Sequence, residues 1–499
     1  MSTANSLCAR RVSSGSLKAT AAPLAAAIAL CLGAAAHATT ITVNDATAGS
    51  VTGACTIVDA VTALNMQTMV NDCAAGNGIN DTIDLTGFTT PTTISFLTST
   101  SGQGHALVLS SAATISGLVD ATGTPLVTIE RSSVSGTPDF GLISTTQALT
   151  INGLALENGY AQSGYLGGAI LAGSALIVNY SVISGNASSS AGGGIAGSNS
   201  VTINRSTVSG NTAANAGGGI LSNSSVRTYY SSISDNSTTS AAGAGGGGIY
   251  CTGIVVAGHS TIGGNNSASK GGGINATATV NLTNSTISGN EALAGPGGGV
   301  YAMGGGVGLT ASTLDSNTAT ANGGGVFTDS ATLTNSTVTG NTAGGAGGGI
   351  YATSLDSNYS TIFANTAQTG IGGGVDFSTS AAANATIFFS NMPEDVNTSG
   401  QNTLSGNYDL VGSTPLVMPS GTLNCNPMLG SLSNNGGPTK TLPLASGSCA
   451  IDAASATPTE TTDQRGYVRP APIGTMPKAD IGAYEAGSDP DVIFANGFE

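Results

Sequence analysis

The chain has 499 residues, 75 of them glycine, with no tryptophan, only 7% charged residues and a net charge of −15. A length beyond roughly 250–300 residues excludes one core of ordinary shape and calls for several domains or a repeat array. The acidic balance disfavours nucleic acid and anionic lipid as partners, and 40% apolar residues exclude a charged, disordered polymer.

In chain order, the first feature is a leader. Arg10, Arg11 and Lys18 form a basic region, residues 19–35 are almost wholly apolar, and Ala36-His37-Ala38 fits a small-x-small cleavage site. This predicts a signal peptide over residues 1–38, an exported protein and Thr39 as the first mature residue. The apolar run is too short, and ends too cleanly, to read as a membrane anchor, and the mature chain has no expected transmembrane segment. Losing three bases takes the net charge to −18. Five cysteines remain. In an oxidising compartment Cys55 pairs locally with Cys73, and Cys425 with Cys449. Each loop is about 20 residues and contributes on the order of 3 kcal/mol. Cys251 is left as a buried thiol.

An N-terminal cap is expected over 39–85, followed by a long repeat body over 86–420 that is regular from 151 to 391. Two marks recur there. A glycine run is followed by an aliphatic residue at Ile170, Ile195, Ile220, Ile249, Ile274, Val300, Val326, Ile350 and Val375. Upstream of each stands an asparagine: Asn158, Asn186, Asn211, Asn236, Asn265, Asn290, Asn317, Asn341 and Asn365. Both keep a period of about 25 residues, the signature of a stacked repeat. Each unit carries short β-type pieces and no helical pattern, as at Val280–Leu282, Ser285–Ile287 and Val300–Ala302. Three short strands per coil of about 25 residues make an all-β, three-sided parallel β-helix. The glycines are expected at a tight corner with positive φ or close packing on the next coil. The asparagines from Asn186 to Asn365 are expected to stack in an amide ladder.

The residues after the aliphatic marks include Tyr250, Tyr301, Phe327 and Tyr351. If the marks face inward, these face outward and form an aromatic row. Such rows bind sugars or partner proteins, or simply stack on themselves. The acids between 151 and 390 do not share a phase in adjacent coils, which argues for solvated surface charges over a catalytic pair. Asp463, Arg465, Arg469, Asp480 and Glu485 form one dense charge group, read as a network that folds a terminal cap. No residue spacing predicts a metal site or a cofactor.

The units carrying Ile287-Ser-Gly-Asn290 and Gly347-Gly-Gly-Ile350 resemble repeats of chlamydial polymorphic outer-membrane proteins. That resemblance implies the right-handed parallel β-helix of the pectin-lyase type. Residues 55–85, with CTIVDAVTALN and NDTIDL, loosely resemble the CSLREAI segment at the front of secreted bacterial β-helix proteins: Cys55, Asp59, Ala60 and Asn65 fit, and the usual Arg-Glu pair is absent. NNGGPT (434–439), AID (450–452), DQRGYVRP (463–470) and DIGAYE (480–485) resemble the choice-of-anchor Q module, placed at 421–486 and followed by an acidic tail at 487–499. Together these resemblances imply an adhesin-like surface or secreted protein, without catalysis, whose partner is a polysaccharide or another cell-surface component. The alternatives are a polysaccharide lyase or glycoside hydrolase, with its site in the insert at 236–249 or in residues 86–150, and a structural envelope component.

Overall fold

A computed structural model describes residues 37–99, 104–400, 403–471 and 477–488; most of the leader (1–36) and the tail from 489 onward lie outside the described residues. The chain is a parallel β-solenoid of about 11 turns, with about 26 residues per turn. The aliphatic marks are in register from coil to coil: Ile143, Ile170, Ile195, Ile220, Ile249, Ile274, Val300, Val326, Ile350, Val375 and Val396 pair in sequence. All eleven are buried and form the axial file of one continuous core. No single coil could bury this file; stacking does it.

Each regular coil feeds three sheets of 22, 13 and nine strands. One coil shows how. Ile195–Gly197 and Val201–Asn204 both join the largest sheet, Thr207–Ser209 joins the second, and Thr212–Ala213 joins the third. The last segment is a fourth piece beyond the three expected. It has only two residues and so shows no alternation to read. In Val300–Thr310 and Ile350–Asn358 the first two pieces fuse into one strand.

The corners follow from sequence. Gly297, first of its triplet, has φ +72°, a region that costs most side chains free energy and glycine little. A Cβ on Gly298 would lie 2.4 Å from the carbonyl oxygen of Gly324 in the next coil. The glycine run therefore both turns the chain and lets neighbouring coils touch through backbone.

The next corner is held by asparagine. From Asn186 through Asn211, Asn236, Asn265, Asn290, Asn317, Asn341, Asn365 and Asn391, each Nδ2 donates to the Oδ1 of the following rung at 2.8–3.0 Å. The final acceptor is Asp395, whose carboxylate takes Asn391 Nδ2 at 2.8 Å and has no amide proton to pass on. Asn158, grouped with these by spacing, is displaced by one residue: Gly159 holds its rung and donates its N–H to Asn186 Oδ1. A parallel ladder uses serine. Ser181, Ser206, Ser231, Ser260, Ser285, Ser312, Ser336 and Ser360 each accept at Oγ from the N–H of the rung before. One coil beyond Ser360, Thr386 donates its N–H to the carboxyl of Asp409. These bonds satisfy buried polar groups that would otherwise each cost about 1–3 kcal/mol.

The stack begins inside the segment expected as a cap. Thr40–Thr42 and Asp81–Asp84 pair with each other and then with Ala113–Ser116. Between them lies helix α1, Ile57–Met66, which buries Ile57, Ala60, Val61, Ala63 and Leu64. Thr56 caps it, accepting from Asp59 N–H. Cys55 and Cys73 are bonded beside it, and Cys425 with Cys449 near the other end. At that end Leu416 and Met418 pack against the main core.

Candidate functional site

The residues following the aliphatic marks do face away from the core, and the register places Tyr250, Asn275, Tyr301, Phe327 and Tyr351 in one row. Three of the four aromatic side chains stack. The Tyr301 and Phe327 rings lie 5.4 Å apart and 7° from parallel, and those of Phe327 and Tyr351 lie 4.9 Å apart at 4°. The separation is that of neighbouring parallel strands, ~4.8 Å, so the backbone register alone brings the rings together. Lys270 Nζ sits 4.4 Å from the Tyr301 ring centroid, a cation–π contact that closes one end of the stack. All three rings are half-buried.

Tyr250 is not part of this stack. Asn275 separates it from Tyr301 and is itself buried, donating to Ala244 O. Tyr250 instead packs with a small outer apolar cluster centred on Ala196, Ala216 and Leu221. The insert that lengthens this coil folds over it. Between Tyr250 and Tyr301 lies an open pocket of about 400 Å³, walled by Ala242–Ala244, Lys270 and Met303. Two of the predicted binding residues therefore face one pocket, and the other two extend from it along the axis.

At the far end of the row the Tyr351 position passes to Asp376. Its carboxyl is buried and accepts Ser399 N–H at 2.9 Å. Burial, with a smaller contribution from Glu394, pushes its pKa up to about 6.

The dense charge group closes on itself. Arg465 NH2 lies 2.7 Å from Asp463 Oδ2, and its guanidinium is held between the Tyr467 and Tyr484 rings. Arg469 donates to the carbonyls of Asp480 and Gly482 and lies over the Tyr359 ring. Glu485 accepts from the N–H groups of Ala471 and Asp480. All five residues are buried. Burial raises Asp480 to about 6 and Glu485 to about 7, with Asp480 adding to the latter. A buried group whose charges pair with one another and with neighbouring backbone is a scaffold. It does not stopper the end of the stack. Thr313 and Thr337, successive rungs of the second sheet, bond to Lys440 O and Gln464 Oε1, and Thr361 Oγ1 accepts from Ala483 N–H. The C-terminal module lies along the flank of the last coils.

The scattered acids find separate partners. Glu157 accepts from Ser184 Oγ, Asp329 from Gly304 N–H and Asp356 from Asn358 Nδ2. Among the described residues no group of three or more His, Cys, Asp and Glu side chains is placed to hold a metal ion. Cys251 is buried and unpaired, with its pKa raised by burial, so its thiol is not activated.

Sequence reasoning missed a second exposed file. The residues just before the ladder serines, Tyr180, Arg205, Tyr230, His259 and Asn284, all have φ between 46° and 51° and stand at one corner. The Arg205 guanidinium lies 5.9 Å from the Tyr180 ring and 5.0 Å from that of Tyr230, and Tyr230 stacks on His259 at 4.7 Å and 6°. The signal was available: the serines are a third mark with the same period. Comparison with family models, curated proteins and solved structures found no match for this chain.

Proposed function

We propose that this chain is an exported, non-catalytic β-helix protein that binds a glycan or a partner surface through Tyr301, Phe327 and Tyr351, with the Tyr250–Tyr301 pocket as its deepest point. The observation that carries the reading is the half-buried stack of three parallel rings, closed by Lys270 and continuous with a pocket. Rings stacked on a rigid sheet present a row of apolar edges and the Tyr301 and Tyr351 hydroxyls at low entropic cost, along which a glycan or a partner surface can lie. Export is supported by the leader pattern and the two disulfides. No helix among the described residues is long and apolar enough to cross a membrane. The resemblance of the repeats to polymorphic outer-membrane proteins, and of residues 421–486 to the choice-of-anchor Q module, supports a role at or beyond the cell surface.

The test uses residues 39–499 with bacterial, plant and host polysaccharides, recording co-sedimentation and product release together, with and without calcium. Retention without new reducing ends or unsaturated products is the expected result, and Tyr301→Ala and Tyr351→Ala should each weaken it. Turnover of any polysaccharide would replace this reading with a lyase or hydrolase. Constant cell association with no retention on any glycan would replace it with a structural envelope role.

A further inference from the structure

The file Tyr180–Arg205–Tyr230–His259 is a different surface from the Tyr301 row. It lies on a corner, beyond the second strand piece of each coil. Tyr180 is 48% exposed and Tyr230 56%. Beside it, Arg227 and Tyr229 point outward from Ser225–Tyr229 in the coil that carries Tyr230. The chain holds only 11 Lys and Arg residues; Arg205 stands on this corner, and Arg227, on the adjoining strand, turns back to donate to Ser225 Oγ. Neither has a carboxylate partner: the ion pairs among the described residues are made by Arg131, Arg465 and Arg469. In a protein of net charge −15, a guanidinium without a carboxylate on an exposed aromatic corner, with a second on the adjoining strand, is the local exception.

Their geometry is built. Arg205 lies between two tyrosine rings, 5.9 Å and 5.0 Å from their centroids, and is itself exposed, so its N–H groups can reach solvent. Such a fork presents paired donors suited to a carboxylate or a sulfate. Alongside runs a short amide ladder: Asn204 donates to Asn179, and Asn179 to Asn152, each at 2.8 Å. Its amides supply the hydrogen-bonding edge that sugar hydroxyls use. The file then leads to a cleft of about 400 Å³ between His259, Asn284 and the C-terminal module.

We propose that this corner is a second binding track, for an acidic glycan that lies along the exposed edges of Tyr180, Tyr230 and His259 and whose anionic groups meet Arg205, with Arg227 on the adjoining strand. Anion recognition survives the acidic surface because charges farther than about 8 Å are screened at physiological salt. Polyphosphate is a poorer fit, since two cations neutralise few phosphates.

The experiment is affinity electrophoresis and calorimetry of residues 39–499 with alginate, heparin, dextran and single-stranded DNA at physiological salt. Retardation by alginate or heparin but not dextran is expected, and the two arms separate carboxylate from sulfate recognition. Arg205→Gln should weaken binding about tenfold, the worth of one charge-assisted contact. Arg205→Lys should recover only part of it, because the planar stack is lost. Tyr351→Ala should leave this binding unchanged, while Arg205→Gln should leave retention through the Tyr301 row unchanged, so the two sites fail separately. A thermal melt shows that each variant is folded. No binding to either acidic polysaccharide, equal binding by Arg205→Gln, or preference for DNA would overturn the proposal.

Discussion

The asparagine ladder makes its sharpest prediction at Asn290, a rung in the middle of the stack. Its Nδ2 donates to Asn317 Oδ1 at 2.9 Å and to Ile262 O at 2.9 Å. Its Oδ1 accepts Asn265 N–H at 3.0 Å and Asn265 Nδ2 at 2.9 Å. In Asn290→Ala, Asn317 Oδ1 keeps the backbone N–H of residue 290, and Asn265 Nδ2 keeps Ile233 O. The N–H of Asn265 keeps nothing, in a site where Asn265 is 0% exposed. An orphaned buried amide costs about 1–3 kcal/mol and each of the three other lost bonds about 1 kcal/mol, so the variant should lose about 4–6 kcal/mol. A stacked array need not unfold in one step. The assay is therefore native-state hydrogen exchange, read coil by coil, with urea unfolding beside it. Protection should drop most for the coils holding Asn265 and Asn317 and fade toward both ends. Asn358→Ala, in an outward-facing amide, is the control and should cost under about 1 kcal/mol. Equal loss for the two variants, or uniform loss along the rod, would refute the view that the ladder holds neighbouring coils together.

Burial raises five carboxyls: Asp376 and Asp480 to about 6, Asp409 and Glu485 to about 7, and Asp395 as well. A raised acid holds its proton in the folded state after the unfolded chain has released it, so stability should fall as pH rises from about 4 to about 7 and level off above. Thermal melts at pH 5 and pH 8 check this, and Asp409→Asn should flatten the profile by about 2 kcal/mol. Gly298→Ala would place a Cβ 2.4 Å from Gly324 O and should abolish or severely weaken folding, whereas Gly49→Ala, with nothing within 4 Å, should be neutral in the same urea titration. Cys425→Ser should cost on the order of 3 kcal/mol and expose the C-terminal module to limited proteolysis first, leaving the coil stack intact on a gel.

The coil period, the glycine corner and the asparagine rungs were legible because each repeats one residue type at one phase. The corner file was not, although it keeps the same phase, because its members differ chemically: Tyr180, Arg205, Tyr230, His259 and Asn284. Only the invariant serine behind them marks the position. Helix α1 was missed for another reason: its ten residues sit in a segment whose neighbours are strands, and Thr56 with Asp59 was its only start signal. Tyr250 takes its place in the row, with Asn275 between it and Tyr301, but its contact with the outer apolar cluster depends on the insert at 236–249, which no repeat pattern describes. The docking of the C-terminal module rests on bonds between residues 127 apart in sequence, such as Asn335 to Thr462. No local pattern encodes a contact of that range, and so the charge group was expected at the end of the stack and lies on its flank.

Both ladders point one way along the rod, and each is followed by an acid that accepts the last N–H or amide: Asp395 takes Asn391 Nδ2, and Asp409 takes the N–H of Thr386, one coil beyond the last serine. Every rung between is interchangeable, because each receives from one side what it gives to the other. Coils that carry no bond to the C-terminal module can therefore be lost or duplicated without disturbing the ends, provided the cut falls at the same phase, whereas those holding Thr313, Asn335, Thr337 and Thr361 are tied to that module. For this architecture length is variable ahead of the docked module, while the cross-section, fixed by glycine contact and amide register, is not.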